Sequence, residues 1–201
     1  MEHLAVHRIV EVHAAINGHA PAIICGEHVT TYRDLNSHAN ALARHLIDEG
    51  FCRGGHARID MRPGAELAAV LLAVLKAGGA YTLLRSSIQP TCQAAVAHRC
   101  EHVPLHPRQI DLRPMLAPPA CYKPNLPILT RSTDIACVLV DDNGAPFIEV
   151  SHATIAALHR PGLGVRVHTW AGDPTTFDLW IGLMAGVTLT VAAAPTLRNA
   201  A

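Results

Sequence analysis

Leu67 to Leu75 is an unbroken run of nine apolar residues held between Glu66 and Lys76. A helix that is apolar all round must be covered on most sides, so this stretch belongs inside a folded body. It is far short of the roughly 20 residues that a membrane span needs. Pro63 is well placed to start the helix, and Gly78-Gly79 ends it. Ala57 to Met61 before it and Ala80 to Leu84 after it read as strands. A strand, a buried helix and a second strand in succession predict an α/β layered architecture, a mainly parallel sheet with flanking helices.

The remaining elements fit that frame. Leu4 to Ile16 is an amphipathic helix ended by Asn17-Gly18. Ala22 to Cys25 and His28 to Thr30 are short strands around a Gly26-Glu27 turn. Thr31 opens a helix that runs to Gly50, with Asp34 in the position of a capping-box acid. Leu35, Ala39, Leu42, Ala43, Leu46 and Ile47 line one face of it. From Ser86 to Thr133 the pattern weakens, and seven of the 14 prolines lie between Pro104 and Pro127. A short helix over Thr91 to Arg99 is expected there. The rest is irregular, either a disordered linker or a decayed segment. Ile135 to Val140 reads as a buried strand, and Ser151 caps a helix through Leu158. Strands at Val165 to Thr169 and Val187 to Ala192 enclose a helix near Phe177 to Ala185.

Charged residues make up 16% of the chain and the formal net charge is zero, which points away from nucleic acid and from an acidic membrane surface. The six cysteines form no C-x-x-C pair, and Met1 to Val12 carries His3, His7, Arg8 and Glu11 in place of a signal-peptide core. A reduced, cytoplasmic setting is expected. His98, Cys100, His102 and His106 are the one cluster with metal-ligand chemistry. Pro104 and Pro107 break the helix that would align His106 with the others, so no metal site is expected.

Two stretches resemble a known family. Thr31-Tyr32-Arg33-Asp34-Leu35-Asn36, followed by Ala39-Asn40 and Ala43, is similar to the first core motif of nonribosomal peptide synthetase adenylation domains, L-T-Y-x-E-L-N. Leu71-Leu72-Ala73-Val74-Leu75-Lys76-Ala77-Gly78-Gly79-Ala80-Tyr81 resembles their second core motif, and Gly50 to Glu66 matches the family spacing between the two. The resemblance is strong over residues 4–84, weaker over 134–191 and absent between. It implies a truncated adenylation-like domain, related to part of the large N-terminal subdomain of adenylate-forming enzymes. Its parts are 1–85, well matched; 86–133, irregular; and 134–201, a degenerate phosphate-loop region with following strands. Both motifs are mainly structural, so they speak for the fold more than for an activity.

The family binds ATP and a carboxylic acid, forms an acyl-adenylate, and passes the acyl group to a carrier thiol. Its phosphate loop, Y-T-S-G-[ST]-T-G-x-P-K-G, offers backbone N–H groups and hydroxyls to phosphate oxygens. Here the equivalent stretch is Asp141-Asp142-Asn143-Gly144-Ala145-Pro146-Phe147, without the hydroxyl run and with Phe147 in place of the lysine. Asp142, Asn143 and Gly144 are what remains of a nucleotide site. One like-charge pair about 4 Å apart costs on the order of 4 kcal/mol at an effective dielectric of about 20, although magnesium could bridge Asp141 or Asp142 to a phosphate. Asp178, in Phe177-Asp178-Leu179-Trp180, holds the place of the aspartate that binds the substrate ammonium, with the residues after it shortened. The two lysines, Lys76 and Lys123, do not match the family's catalytic lysine.

The resemblance therefore implies a catalytically inactive domain with a structural or docking role and no cofactor. Its partners would be condensation or carrier domains of a synthetase, a second copy of itself, or a small accessory protein. The alternative is one part of a split amino-acid-activating enzyme that uses ATP and magnesium. Its second polypeptide would pair with the strand edge at Val187 to Ala192. A second copy or an adjoining domain is expected to cover Leu179, Ile181, Leu183 and Met184, which would lack cover in so short a chain. Leaving about 400 Å² of apolar surface wet forgoes roughly 10 kcal/mol.

Overall fold

A computed structural model describes residues 4–84, 93–97, 108–112, 115–127, 129–140, 146–158, 169–170 and 175–191. The apolar run forms α3 (Ala65–Lys76) and lies at the centre of the core, with every residue from Leu67 to Leu75 fully buried. Pro63 stands just before Gly64, the N-cap, so the helix starts two residues later than the proline suggested. α1 (Val6–Ile16) and α2 (Tyr32–Asp48) pack against α3. Thr31 caps α2 as expected. Its hydroxyl oxygen accepts from the Asp34 backbone N–H at 3.1 Å, and its hydroxyl donates to the Asp34 carboxylate at 2.7 Å.

β1 (Pro21–Cys25) and β2 (His28–Thr31) form the expected hairpin, turned at Gly26 with φ +58°. They belong to a four-stranded sheet of order β2-β1-β10-β9, where β9 is Thr169–Trp170 and β10 is Leu189–Val191. The second sheet has the order β6-β5-β3-β4-β7-β8. Its strands are β3 (His56–Asp60), β4 (Ala80–Leu83), β5 (Gln93–Ala97), β6 (Arg108–Asp111), β7 (Ile135–Val140) and β8 (Pro146–Ser151). Each sheet has a parallel centre, β1-β10-β9 and β3-β4-β7, to which β2, β5, β6 and β8 add antiparallel edges. The parallel centre is what the crossover pattern required, since helices cover it. Of the antiparallel pairs, only β1–β2 is foreseen by the sequence reading; those of β5, β6 and β8 are not.

Four expectations need correction. Residues 93–97 are a strand, not part of a helix, because Gln93–Ala97 pairs along its whole length with β3. Much of the proline-rich stretch is neither linker nor decayed chain: Leu112 is fully buried, and residues 115–127 lie along α2. β7 is buried only at Ala136 and Cys137, since Ile135 is exposed at its start. Cys52 is disulfide-bonded, whereas Cys25, Cys121 and Cys137 are free thiols. The strand expected over residues 165–169 reaches the described part only as β9.

α4 (His152–Leu158) follows β8 directly. Ser151 caps it, its Oγ accepting from the Thr154 N–H at 3.2 Å. α5 (Phe177–Met184) closes the core, with Leu179 and Leu183 fully buried and Met184 nearly so. Three of the four apolar residues expected to need cover from a second copy or an adjoining domain are thus buried against this chain's own α1, α4 and β10, and Ile181 is half-buried. β10 is also paired on both sides, by β1 and β9, so it offers no edge to a second polypeptide. No helix among the described residues is long and apolar enough to cross a membrane.

Candidate functional site

The residues singled out from the sequence fall on two places. Asp142, Asn143 and Gly144 lie outside the described residues, as do His98, Cys100, His102 and His106. The strands on either side of residues 141–145 are described and pair antiparallel, Val140 opposite Pro146 and Cys137 opposite Val150. β8 then hands the chain to α4, which packs against α5. Asp178 sits in the first turn of α5 and is exposed. A carboxylate there interacts favourably with the helix dipole, a sufficient structural reason for it.

What fixes the start of α5 is a buried hydroxyl network that sequence reasoning missed. Thr176, fully buried, is the N-cap residue and adopts φ +55° and ψ 13°, a left-handed conformation unusual for a β-branched residue. Its hydroxyl donates to the Thr175 carbonyl at 2.7 Å, which leaves its oxygen to accept from the Tyr81 hydroxyl. The Trp180 indole N–H donates to the Tyr81 oxygen at 2.6 Å. Tyr81 lies on β4 and Trp180 on α5, so this network ties the second sheet to the helix that carries Asp178. Burial raises the Tyr81 hydroxyl far above the ordinary phenol range, and burial pushes the Cys137 thiol beside it up to about 11. Both stay protonated at neutral pH, which suits a scaffold and not a base or nucleophile. The sequence signal was present: a tyrosine ending the second motif and a tryptophan two residues after Asp178, both aromatic residues with a polar atom that must find a partner when buried.

The two lysines are accounted for by structure. Lys76 is 2% exposed and its ammonium pairs with Glu11 on α1, which also holds Arg8. Burial pushes the Lys76 ammonium down to about 8 against the pull of Glu11. Lys123 lies on the segment along α2, where its backbone N–H donates to Ser37 Oγ at 2.8 Å and its carbonyl accepts from Asn40 at 2.9 Å. Among the described residues no group of three or more His, Cys, Asp or Glu side chains is arranged to hold a metal.

The model of the AMP-binding enzyme family matches residues 10–106. This segment is similar to AMP-binding enzymes. It includes both core motifs, all of α2 and α3, and the strands from β1 to β5. Part of the chain is also similar to nonribosomal peptide synthetases. It is 39% identical over 83 residues to malpinin synthetase of Mortierella alpina, covering 41% of this chain and 1% of that protein. It is 42% identical over 90 residues to tyrocidine synthase 3 of Brevibacillus parabrevis, covering 43% of this chain and 1% of that one. Surfactin synthase subunit 2 of Bacillus subtilis is 40% identical over 83 residues, 41% of this chain and 2% of that protein. The chain therefore spans only a small part of these relatives.

The likeness in fold runs through nearly the whole chain. The N-terminal subdomain of Klebsiella oxytoca NpsA, in complex with 3-hydroxybenzoyl-AMSN, superposes with a TM-score of 0.74 at 21% identity, over 98% of this chain and 56% of that one. The artificially fused adenylation–PCP di-domain NpsA-ThdA superposes with a TM-score of 0.75 at 20% identity, over 97% of this chain and 41% of that one. The AMP-binding segment and everything described after it thus share the architecture of an adenylation domain's N-terminal subdomain.

Proposed function

We propose that this chain is an adenylation-like domain that does not itself activate a carboxylic acid and serves a nonribosomal peptide synthetase as a structural or docking element. The loop sequence carries this reading: Asp141-Asp142-Asn143-Gly144-Ala145 has two carboxylates and no hydroxyl where the family offers hydroxyls and glycines to phosphate. The position of Lys76 supports it, because a lysine locked to Glu11 in the core is not free to meet a phosphate. The partners would be the condensation and carrier domains of the same synthetase. Co-elution of the 201-residue chain with the carrier and condensation domains encoded beside it is the expected result in gel filtration. Independent elution of both at micromolar concentrations removes the docking role.

A second reading, one part of a split amino-acid-activating enzyme with ATP and magnesium, rests on Asp178. The carboxylate is exposed, stands at a helix start held by Tyr81, Thr176 and Trp180, and is available to an ammonium group. Amino-acid-dependent pyrophosphate exchange on mixing with a second polypeptide is its test. Exchange that is lost with Asp178→Asn would establish it, and absence of exchange with every candidate partner would end it.

A further inference from the structure

α1 is fastened to its neighbours by polar contacts that run mostly through titratable groups. Toward α3, Glu11 pairs with Lys76 and with Arg8. Toward α4, the Val6 backbone N–H donates to Nδ1 of His152 at 3.3 Å, and the His7 and His152 rings meet edge to face with centroids 5.6 Å apart. Toward α5, Nε2–H of His13 donates to the Met184 carbonyl at 2.8 Å. His7 and His152 are 3% and 0% exposed, and Nδ1 of His7 and Nε2 of His152 have no hydrogen-bond partner.

The contact with Val6 fixes the state of His152. A nitrogen that accepts a hydrogen bond carries no proton, so the ring is neutral with its proton on Nε2. A second proton would land on Nδ1 and set it against the Val6 N–H, donor facing donor. Protonation and this contact exclude each other. Glu11 and Asp134, carboxylates near these rings among the described residues, already hold cations. Glu11 is already shared by Lys76 and Arg8, and Asp134 accepts from Arg53 and from the Arg131 backbone N–H, both at 2.9 Å. α2 contributes Arg44, a further cation beside Lys76, while Glu66 of α3 and Asp178 of α5 are exposed.

We propose that α1 is an acid-released latch: protons on His152 and His7 detach its first turns from α4 while the α2–α3 core stays folded. Opening of the latch uncovers Val6 and Val10, which are fully buried when it is closed. Burial, with the nearby His152, Lys76 and Arg8, holds His7 well below the ordinary imidazole range. Burial pushes His152 down to about 4, against an opposing pull from Asp134. Both rings therefore bind protons more readily in the open form, and opening becomes easier as the pH falls below the free imidazole value of about 6.5. Going from pH 7.5 to 5, His152 alone favours opening by roughly thirtyfold. His7 acts in the same direction.

Hydrogen exchange on the whole chain at pH 7.5 and pH 5, corrected for intrinsic rates, reads this directly. The amides of α1 and α4 are expected to lose at least about tenfold in protection relative to those of α3. An equal change in all three helices, or none, overturns the proposal. His152→Asn keeps an acceptor for the Val6 N–H and cannot titrate, so it should reduce the pH dependence in α1 to the part that His7 supplies. Should that variant not fold, long-range proton–nitrogen NMR of the unsubstituted chain decides. The proposal requires His152 to carry its proton on Nε2 at pH 7.5, and a proton on Nδ1 overturns it.

Discussion

Lys76 shows how one residue can satisfy a family motif without serving its chemistry. It closes the apolar run of α3, and its ammonium, 1% exposed, is compensated by a Glu11 carboxylate that is 6% exposed. Removing Lys76 leaves the buried Glu11 carboxylate with only the half-buried Arg8 as a partner, so Lys76→Met should cost about 3 kcal/mol in urea unfolding. Glu11→Leu combined with Lys76→Met should recover most of that loss, since an apolar pair needs no partner charge. Tyr81 is the second case. Tyr81→Phe deprives the Trp180 N–H of its acceptor and the Thr176 oxygen of its donor in a sealed site and should destabilise by about 1–3 kcal/mol. An unfolding midpoint equal to that of the unsubstituted chain would show that water replaces the hydroxyl. The tyrosine, the tryptophan and the lysine were all visible in the sequence. Their partners were not, because Glu11 is 65 residues from Lys76 and Trp180 is 99 from Tyr81.

Among elements, the segment along α2 departs most from what composition suggested. Its prolines break every regular pattern, yet it is ordered by side chains of α2. Asn36 and Asn40 donate to the Asn125 side-chain oxygen at 2.8 and 3.0 Å, Arg44 donates to the Pro124 carbonyl at 2.7 Å, and His38 donates to the Met115 carbonyl at 2.9 Å. Asn36 and Asn40 belong to the first core motif, so part of that motif's polar face exists to hold a strap. Asn125→Ala should cost about 1–2 kcal/mol and speed proteolytic cleavage between residues 115 and 127. Unchanged cleavage would mean that the strap is held by its contacts with Ser37, His38, Asn40 and Arg44. Period and capping made α1, α2, α3 and α5 readable, because each has an apolar face and a defined end. β5 was misread as helix because five residues of Gln-Ala-Ala-Val-Ala have no decisive period. Its pairing with β3 is a tertiary fact.

At the scale of the whole molecule, the expected exposed patch is absent because α5 folds back under α1, with Tyr32 of α2 donating to the carbonyls of Leu183 at 3.2 Å and Val187 at 2.9 Å. Sedimentation analysis should accordingly show a monomer that melts in one cooperative step. Dimers that dissociate when Leu183 is replaced by a polar residue would restore the older expectation. The architecture was legible from two motifs and one apolar run, since those residues build the α3 crossover and the α2 cap. The candidate site was legible only as a loss, in the hydroxyls missing after Val140. Calorimetric titration of the chain with ATP and magnesium addresses that loss most directly. No heat of binding is expected up to millimolar nucleotide if the loop sequence, with Asp141 and Asp142 and no hydroxyl residue, is read as the phosphate loop of this chain. Saturable binding in the micromolar range would contradict the reading of this loop as disabled.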